Sequence, residues 1–200
     1  MANPRSRLRL ISDVGGVIVD HDNAKMFERV AALFDAKPSH AELQAAINGS
    51  GIAAGRQTPR ELFDGLRRRN GGGTSFEAFL EALCCHFTLK PDVYALYREL
   101  RASGPIVLCS NTNAAHWDFV EARFGLEKLA VASILSHVCK VQKPSAEIYL
   151  LAAAAHGCAP AECLFVDDSR AYVEAADALG FRTHLFAGVD GLRRALQERA

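Results

Sequence analysis

The sequence predicts an α/β protein with a doubly wound, Rossmann-like parallel sheet and a small helical cap inserted after the first strand. Two observations lead to this prediction. Short apolar runs alternate with helical patterns over most of the chain, and such alternation is typical of parallel strands joined by crossover helices. Between residues 20 and 89 the strand pattern disappears and helical stretches remain, which indicates an insertion.

The predicted sheet has five short apolar runs, at Leu8–Ser12, Pro105–Cys109, Val131–Leu135, Cys163–Val166 and Arg182–Phe186. Helical patterns alternate with them at Pro91–Ala102, Ala114–Phe124, Pro144–His156, Ser169–Leu179 and Gly191–Glu198. Asn113 is expected to cap the second of these helices, and Pro144 to be the first residue of the third.

The insertion is predicted to contain helices at Asn23–Phe34, Pro59–Arg69 and Phe76–Phe87, separated by glycine-rich segments at residues 48–51 and 70–73. We therefore expect a core domain of residues 1–20 and 90–200 and a helical cap domain of residues 21–89. Ligands of open parallel sheets bind beyond the carboxyl ends of the strands. The cap is expected to lie above that edge.

Composition limits the classes of partner. Half of the 200 residues are hydrophobic, which is enough for a sizeable core. The 23 basic and 23 acidic residues give no net charge with which to gather nucleic acid or an anionic membrane. No secretory signal or membrane-spanning stretch is apparent, and the six cysteines lack Cys-x-x-Cys spacing. We expect a cytoplasmic protein that acts on a small molecule, with no nucleic-acid or membrane partner.

Reactive side chains follow the predicted strands. Asp13 comes directly after the first strand, Ser110-Asn111 after the second and Asp167-Asp168 after the fourth, while Lys143 precedes a predicted helix. At the carboxyl edge of a parallel sheet these groups would converge. A carboxylate nucleophile, a hydroxyl, a cation and an acidic pair are the groups that phosphoryl transfer requires.

Each of these residues also has an ordinary structural interpretation. An Asp at a strand end is more often a turn or cap residue, and Asp167-Asp168 could cap the helix that follows. Lys143, before a proline, would ordinarily be a solvated surface charge. Their joint occurrence in one order favours a site. His116 is expected either to line the pocket or to occupy only the first turn of its helix.

Four segments in order resemble the haloacid dehalogenase superfamily, over nearly all of the chain. They are Asp13-Val14-Gly15-Gly16-Val17, Ser110-Asn111-Thr112-Asn113-Ala114-Ala115-His116, Lys143-Pro144-Ser145-Ala146-Glu147-Ile148-Tyr149 and Phe165-Val166-Asp167-Asp168-Ser169. They are similar to the branch with a small helical cap, which includes phosphatases of sugar phosphates such as glucose 1-phosphate. The resemblance implies a Mg²⁺-dependent phosphomonoesterase that acts through an aspartyl-phosphate.

The resemblance also implies roles for the residues that bind or attack the substrate. Asp13 would attack phosphorus, and Ser110 and the backbone amide of Asn111 would hold the phosphate oxygens. Lys143 would pair with Asp13 and the phosphate without packing in a core. His116 is a further candidate for substrate binding.

Mg²⁺ would be held by oxygen ligands in the same region, as is usual for this ion. The resemblance implies Asp13 and Asp168 as direct ligands and Asp167 as a ligand either direct or through water. The Gly15 carbonyl would be the last of the ligands that the protein supplies.

One position departs from the family pattern. Most phosphatases of the superfamily carry Asp-x-Asp, with the second Asp as general acid and base, but that position is Gly15 here. Protonation of the leaving group is therefore unassigned. Asp20, His21 and Asp22, after a predicted flap strand at Val17–Val19, are candidates, although Asp20 or Asp22 could equally cap the first helix of the insertion.

Two other functions are weighed against phosphatase activity. Related dehalogenases also use an Asp nucleophile and lack the second Asp, but they replace the metal-binding acid with Ser or Asn, whereas Asp167-Asp168 is intact. The stronger alternative is a catalytically silent protein that binds a phosphorylated ligand in the same pocket, because Gly15 removes the usual acid.

Overall fold

The computed structural model describes residues 9–197, which contain seven strands and ten α-helices. The strands are β1 (Leu10–Ser12), β2 (Val19–His21), β3 (Phe87–Leu89), β4 (Ile106–Ser110), β5 (Ala132–Leu135), β6 (Leu164–Asp167) and β7 (Arg182–Leu185). The helices are α1 (Asn23–Ala31), α2 (His40–Ser50), α3 (Pro59–Asn70), α4 (Phe76–Cys84), α5 (Pro91–Ser103), α6 (Ala114–Phe124), α7 (Ser136–Cys139), α8 (Ala146–His156), α9 (Arg170–Ala178) and α10 (Val189–Gln197). Within the described range, no helix is both long and apolar enough to cross a membrane.

Five strands form one parallel sheet in the order β5-β4-β1-β6-β7. The chain builds β4 and β5 on one side of β1 and then returns to build β6 and β7 on the other side. This reversal is the mark of a doubly wound sheet, and it places the crevice for a ligand at the carboxyl ends of β1, β4 and β6. The predicted fold class is confirmed.

Alternate residues of the central strand face opposite layers of helices. Leu10 packs in a core with residues of α5, α6 and α10. The next residue, Ile11, packs in a second core with residues of α8 and α9. Because both faces are covered, β1 is wholly buried and its carboxyl end is held rigidly.

The segment between β2 and β3 contains α1 to α4 and has a hydrophobic cluster of its own. The rings of Phe63, Phe76 and Phe79 lie together in it, with centroids 5.2 to 6.3 Å apart. We call residues 21–89 the inserted segment. Its assignment as a separate cap domain with boundaries at residues 20 and 90 stays a prediction.

The predicted absence of strands from the inserted segment is wrong. The helix predicted at Phe76–Phe87 ends at Cys84, and Phe87–Leu89 forms an antiparallel pair with Val19–His21. The flap strand therefore lies two residues later than Val17–Val19. Helix propensity is low across the Cys, His, Phe and Thr residues that follow Cys84, so pairing with β2 determines the local structure.

Helix α2 was not predicted, and it includes residues 48–50 of the first glycine-rich segment. Ser39 and Glu42 form a capping box at its start. That Ser-x-x-Glu pattern was available in the sequence as a start signal. Gly51, with φ of 64°, ends the helix in the left-handed conformation that glycine adopts most readily.

Several other predicted boundaries shift by one to three residues. Helix α8 begins at Ala146 rather than at Pro144, because the Ser145 N–H donates to the Gln142 carbonyl and closes a turn. The expectation that Pro144 is the first helical residue is therefore wrong. Asn113 caps α6 as predicted. Leu8 and Glu198, at the ends of a predicted strand and helix, lie outside the described residues.

The aromatic cluster of the inserted segment can be tested by truncating Phe79, which is fully buried. Phe79→Ala should lower the free energy of unfolding by about 3 to 5 kcal/mol, because a large cavity is left among the rings. Urea denaturation followed by circular dichroism measures this loss. Leu150→Ala, at a side chain that is 47% exposed, is the control, and equal losses for the two variants would contradict the packing described.

Candidate active site

Asp13 follows β1 at the centre of the sheet. Its N–H donates to the Val166 carbonyl over 2.9 Å, so the residue continues the strand. Its Oδ1 accepts from the Val14 N–H over 2.7 Å. Behind it, the buried hydroxyls of Ser12 and Tyr97 lie 2.6 Å apart. These contacts fix the position of the carboxylate at the edge of the crevice.

Lys143 lies between two carboxylates. Its Nζ is 2.9 Å from Asp13 Oδ2 and 2.6 Å from Asp167 Oδ2. The side chain is buried, so the expectation that it stays clear of a core is wrong. Burial alone lowers the pKa of Lys143, but the Asp13 carboxylate, assisted by Asp167, outweighs burial and raises the pKa above its ordinary value. The amine is therefore a cation at neutral pH.

The backbone of Lys143 is held by the side chain of Asn111, from 32 residues earlier in the chain. Asn111 Nδ2 donates to the Lys143 carbonyl over 2.9 Å, and its Oδ1 accepts from the Lys143 N–H over 2.8 Å. The Tyr172 ring centroid lies 5.0 Å from Lys143 Nζ, within range of a cation–π contact. Sequence reasoning missed both contacts, because no local pattern signals a pairing at such separation.

The acidic side chains after β1 and β6 form a cluster. Asp13, Asp167 and Asp168 each present an oxygen within 4.8 Å of the others. Burial, with the nearby charge of Asp13, raises the pKa of Asp167 to about 6. Asp167 also accepts from the Ser169 N–H over 2.8 Å, so part of its role is structural. Three clustered carboxylates are the donor set that a hard cation such as Mg²⁺ prefers, and the residues present fit that ion.

The turn after Asp13 is shaped by the approach of Asp168. Gly16 has φ of 71°, and a Cβ added to it would lie 2.0 Å from Asp168 Oδ2. Only glycine leaves room for that carboxylate against the backbone of the turn. Gly15 lies in the same turn, and its carbonyl as a metal ligand stays a prediction.

A cavity of about 210 Å³ opens beside Ser110 and Asn111. Ser110 is buried at the end of β4. Of the described residues that line the cavity, none is Asp, Glu, Lys or Arg. The remaining lining residues are Val14, Gly15, Val19, His21, Asn23, His86, Phe87, Thr112, His116, Trp117 and Val120. The cavity therefore combines apolar walls with polar side chains, three of which are histidines.

His116 lines the cavity from its place in the first turn of α6, which agrees with the first of the two alternatives. Its ring centroid is 5.3 Å from that of His86, which sequence reasoning missed. Burial lowers the pKa of His116 to about 3 and that of His86 to about 4. Both rings are therefore neutral at physiological pH.

Hydrogen bonds from two side chains connect the loops of the site to neighbouring segments. The Ser136 hydroxyl accepts from the Thr112 N–H over 2.9 Å and donates to the Ala53 carbonyl over 2.5 Å, which links the loop after β4 to the inserted segment. Lys90 Nζ donates to the Gly16 carbonyl over 2.7 Å. Neither Ser136 nor Lys90 carries a signal in the sequence that would have marked it.

A family model described as haloacid dehalogenase-like hydrolase matches residues 9–180. The chain belongs to this family of hydrolases. The match contains all four segments that resemble the superfamily, including the segment that begins at Lys143.

Solved structures agree with this membership. The HAD family enzyme bt-2542 of Bacteroides thetaiotaomicron is 26% identical to this hydrolase, with a TM-score of 0.83, over 92% of this chain and 95% of that one. Its complex with magnesium and inorganic phosphate gives a TM-score of 0.81. A predicted HAD-like family hydrolase of Porphyromonas gingivalis, 23% identical, has a TM-score of 0.82 over 96% of this chain and 98% of that one, and shows the same fold.

The packing of Asp168 against Gly16 can be tested with Gly16→Ala. The added Cβ should displace the Asp168 carboxylate. With Asp168 in its predicted role as a Mg²⁺ ligand, binding of Mg²⁺ should weaken by about 10-fold to 100-fold. Titration calorimetry measures the affinity. Gly73→Ala, where an added Cβ meets nothing within 4 Å, is the matched control, and unchanged affinity in Gly16→Ala would contradict the geometry.

The lowered pKa of His86 predicts a loss of stability in acid. The folded state resists protonation down to about pH 4, whereas the unfolded chain takes up the proton near pH 6.5, so stability falls as the pH drops from 6.5 toward 4. The free energy of unfolding should fall from pH 7 to pH 5 in both proteins. The fall should be roughly 1 to 2 kcal/mol smaller in His86→Gln than in the unaltered protein. Urea denaturation at the two pH values measures the losses.

His40→Gln is the control for that comparison, because His40 is exposed on the inserted segment. It should lose as much stability as the unaltered protein over the same range. A loss in His86→Gln that equals the loss in His40→Gln would show that His86 does not resist protonation in the fold.

Proposed function

We propose that this hydrolase is a Mg²⁺-dependent phosphomonoesterase of a small phosphorylated metabolite and that it acts through an aspartyl-phosphate on Asp13. The observation that carries the proposal is the convergence of Asp13, Lys143, Asp167 and Asp168 at the carboxyl edge of the sheet. An attacking carboxylate and a phosphate dianion repel each other, so phosphoryl transfer between them needs cations at the site. Lys143 supplies one cation, and the acidic cluster has the donor set for another.

The proposed chemistry begins with attack of the Asp13 carboxylate on phosphorus. The aspartyl-phosphate forms as the bond from phosphorus to the alcohol oxygen breaks and the alcohol leaves. Lys143 neutralises part of the charge that accumulates there. The Ser110 hydroxyl and the Asn111 N–H hold phosphate oxygens, in line with their position at the end of β4 beside the cavity. Water then attacks the phosphorus of the aspartyl-phosphate and releases inorganic phosphate.

Mg²⁺, when bound, would neutralise phosphate charge and orient the group for attack. Asp13 and Asp168 are the proposed direct ligands, with Asp167 direct or through water and the Gly15 carbonyl as a further ligand. Support for the ion comes from the clustered carboxylates and from bt-2542, which is 26% identical and forms a complex with magnesium and inorganic phosphate.

The lining of the cavity supports a leaving group without further ionic groups. A further phosphate or carboxylate on the substrate would meet no Lys or Arg among the described residues that line the cavity of about 210 Å³, and an ammonium would meet no Asp or Glu there. The neutral His86 and His116 rings suit hydroxyl groups, while Phe87 and Trp117 suit an apolar face. The proposed substrate is a sugar phosphate, with the inserted segment as the cap that covers it.

The acidic pair favours a phosphatase over a dehalogenase. A halocarboxylate substrate requires no divalent cation, whereas Asp167 and Asp168 lie with Asp13 in one group of potential ligands. A silent binding protein would use the same pocket but would release no phosphate. Turnover therefore separates the three functions.

The proposal is tested by measuring release of inorganic phosphate from p-nitrophenyl phosphate and a panel of sugar phosphates, with Mg²⁺ and with EDTA. Asp13→Asn should lower turnover by at least about 10³-fold, because an amide is a poor nucleophile. Asp177→Asn, at an exposed position of α9, is the matched control and should keep full activity.

Each other outcome has a distinct meaning. Phosphate release that ignores EDTA would contradict the metal assignment, and release by Asp13→Asn at the normal rate would contradict the nucleophile. Binding of phosphorylated ligands without turnover would identify the silent protein. Halide release from 2-haloacids would identify a dehalogenase.

A further inference from the structure

In the proposed function, on which this inference rests, the leaving group needs a proton. When the bond from phosphorus to an alcohol oxygen breaks, that oxygen departs as a basic alkoxide unless it receives a proton. Asp13 is the nucleophile in this reaction, and Lys143 is held between two carboxylates. Asp167 and Asp168 belong to the proposed metal site. The proton donor would then be a side chain that lines the cavity, where the leaving group would lie.

Three titratable side chains line the cavity, namely His21, His86 and His116. His86 is buried, and the Nε2 atom of His116 is also buried. Burial keeps the pKa values of these two rings at about 4 and 3. They are therefore neutral at physiological pH and have no spare proton to donate as an acid.

The two aspartates beside His21 are engaged elsewhere. Asp20 Oδ1 is 3.1 Å from Lys90 Nζ, and Asp20 lines an outer depression rather than the cavity. Asp22 Oδ1 accepts from the Lys25 N–H over 3.1 Å, and so caps α1. These contacts leave His21 as the candidate from the segment of residues 20–22.

His21 lies beside the turn that follows Asp13 and lines the cavity. It is the last residue of β2, paired with Phe87, and its side chain is exposed. A Cβ added to Gly15 would lie 3.7 Å from His21 Nδ1 and 3.9 Å from Cε1. The ring therefore stands against the position where Gly15 lacks a side chain. It borders the cavity on one side and the outer depression, with Asp168, on the other.

We propose that His21 is the general acid and base of the phosphatase reaction. In the first step the imidazolium gives its proton to the leaving oxygen as the bond from that oxygen to phosphorus breaks and the bond from Asp13 to phosphorus forms. In the second step the neutral imidazole takes a proton from the water that attacks phosphorus. The bond from phosphorus to Asp13 then breaks, which releases inorganic phosphate and restores the imidazolium.

The test compares two leaving groups in His21→Ala and His21→Gln, with kcat/KM as the measured quantity. An alkyl phosphate needs a proton on its leaving oxygen, so its kcat/KM should fall roughly 10²-fold to 10⁴-fold, the usual contribution of a positioned acid. p-Nitrophenolate departs as a stable anion, so kcat/KM for p-nitrophenyl phosphate should fall by less than about tenfold. Added imidazole should restore the alkyl phosphate reaction in His21→Ala, whose side chain leaves space for it.

His40→Ala is the control for loss of an exposed histidine, and Asp20→Asn is the control for the neighbouring charge. Both should keep the unaltered dependence on the leaving group. Equal losses on the two substrates in both His21 variants, or no rescue by imidazole, would overturn the role of His21. The proposed function would still stand in that case, provided that the unaltered protein turns over substrate with Mg²⁺ and that Asp13→Asn does not. Absence of any phosphate release by the unaltered protein would instead overturn both.

Discussion

The ammonium of Lys143, buried between the carboxylates of Asp13 and Asp167, is the interaction on which the candidate site depends. The parallel sheet brings the acidic groups after β1 and β6 to one edge, where they repel each other in a partly buried setting. A buried charge is tolerated only when it is paired, and removal of one partner typically costs about 3 to 5 kcal/mol. Lys143 thus holds the carboxylates of Asp13 and Asp167 together and places a cation beside both of them.

The same contacts explain why the site is rigid. Lys143 precedes α8 and is fixed through its backbone by Asn111, which follows β4. Asp13 is fixed through the ladder to β6 and through its bond with the Val14 N–H. Elements from three parts of the chain therefore share one set of hydrogen bonds, and the preorganised charge that phosphoryl transfer requires is built into the fold.

The inserted segment contributes differently. The β2 and β3 pair at its base carries His21 and Phe87 to the wall of the cavity, while the acidic cluster lies at the edge of the sheet. In the proposed function, the core would perform the transfer of the phosphoryl group, and the inserted segment would determine which leaving group fits. Because none of its described lining residues is Lys or Arg, the cavity would then disfavour leaving groups that carry a further phosphate or carboxylate.

The sheet and the chemical groups at its edge could be predicted because both depend on local patterns. Short apolar runs mark the strands, and Asp13, Ser110 and Asp167 directly follow or end such runs. The burial of Lys143, the bridge from Asn111 and the contact with Tyr172 could not be predicted, since they join residues far apart in the chain. Strand β3 was missed because its three residues gain their structure from pairing with β2.

In the proposed mechanism Asp13 becomes phosphorylated, and this is measured most directly by mass spectrometry of the protein quenched in acid during turnover with Mg²⁺. We expect one added phosphoryl group on the peptide that contains Asp13, lost on treatment with hydroxylamine and absent from Asp13→Asn. A phosphoryl group on any other residue would contradict the mechanism. Release of phosphate with no phosphoryl group on Asp13 at any time sampled within the first turnover would contradict it as well.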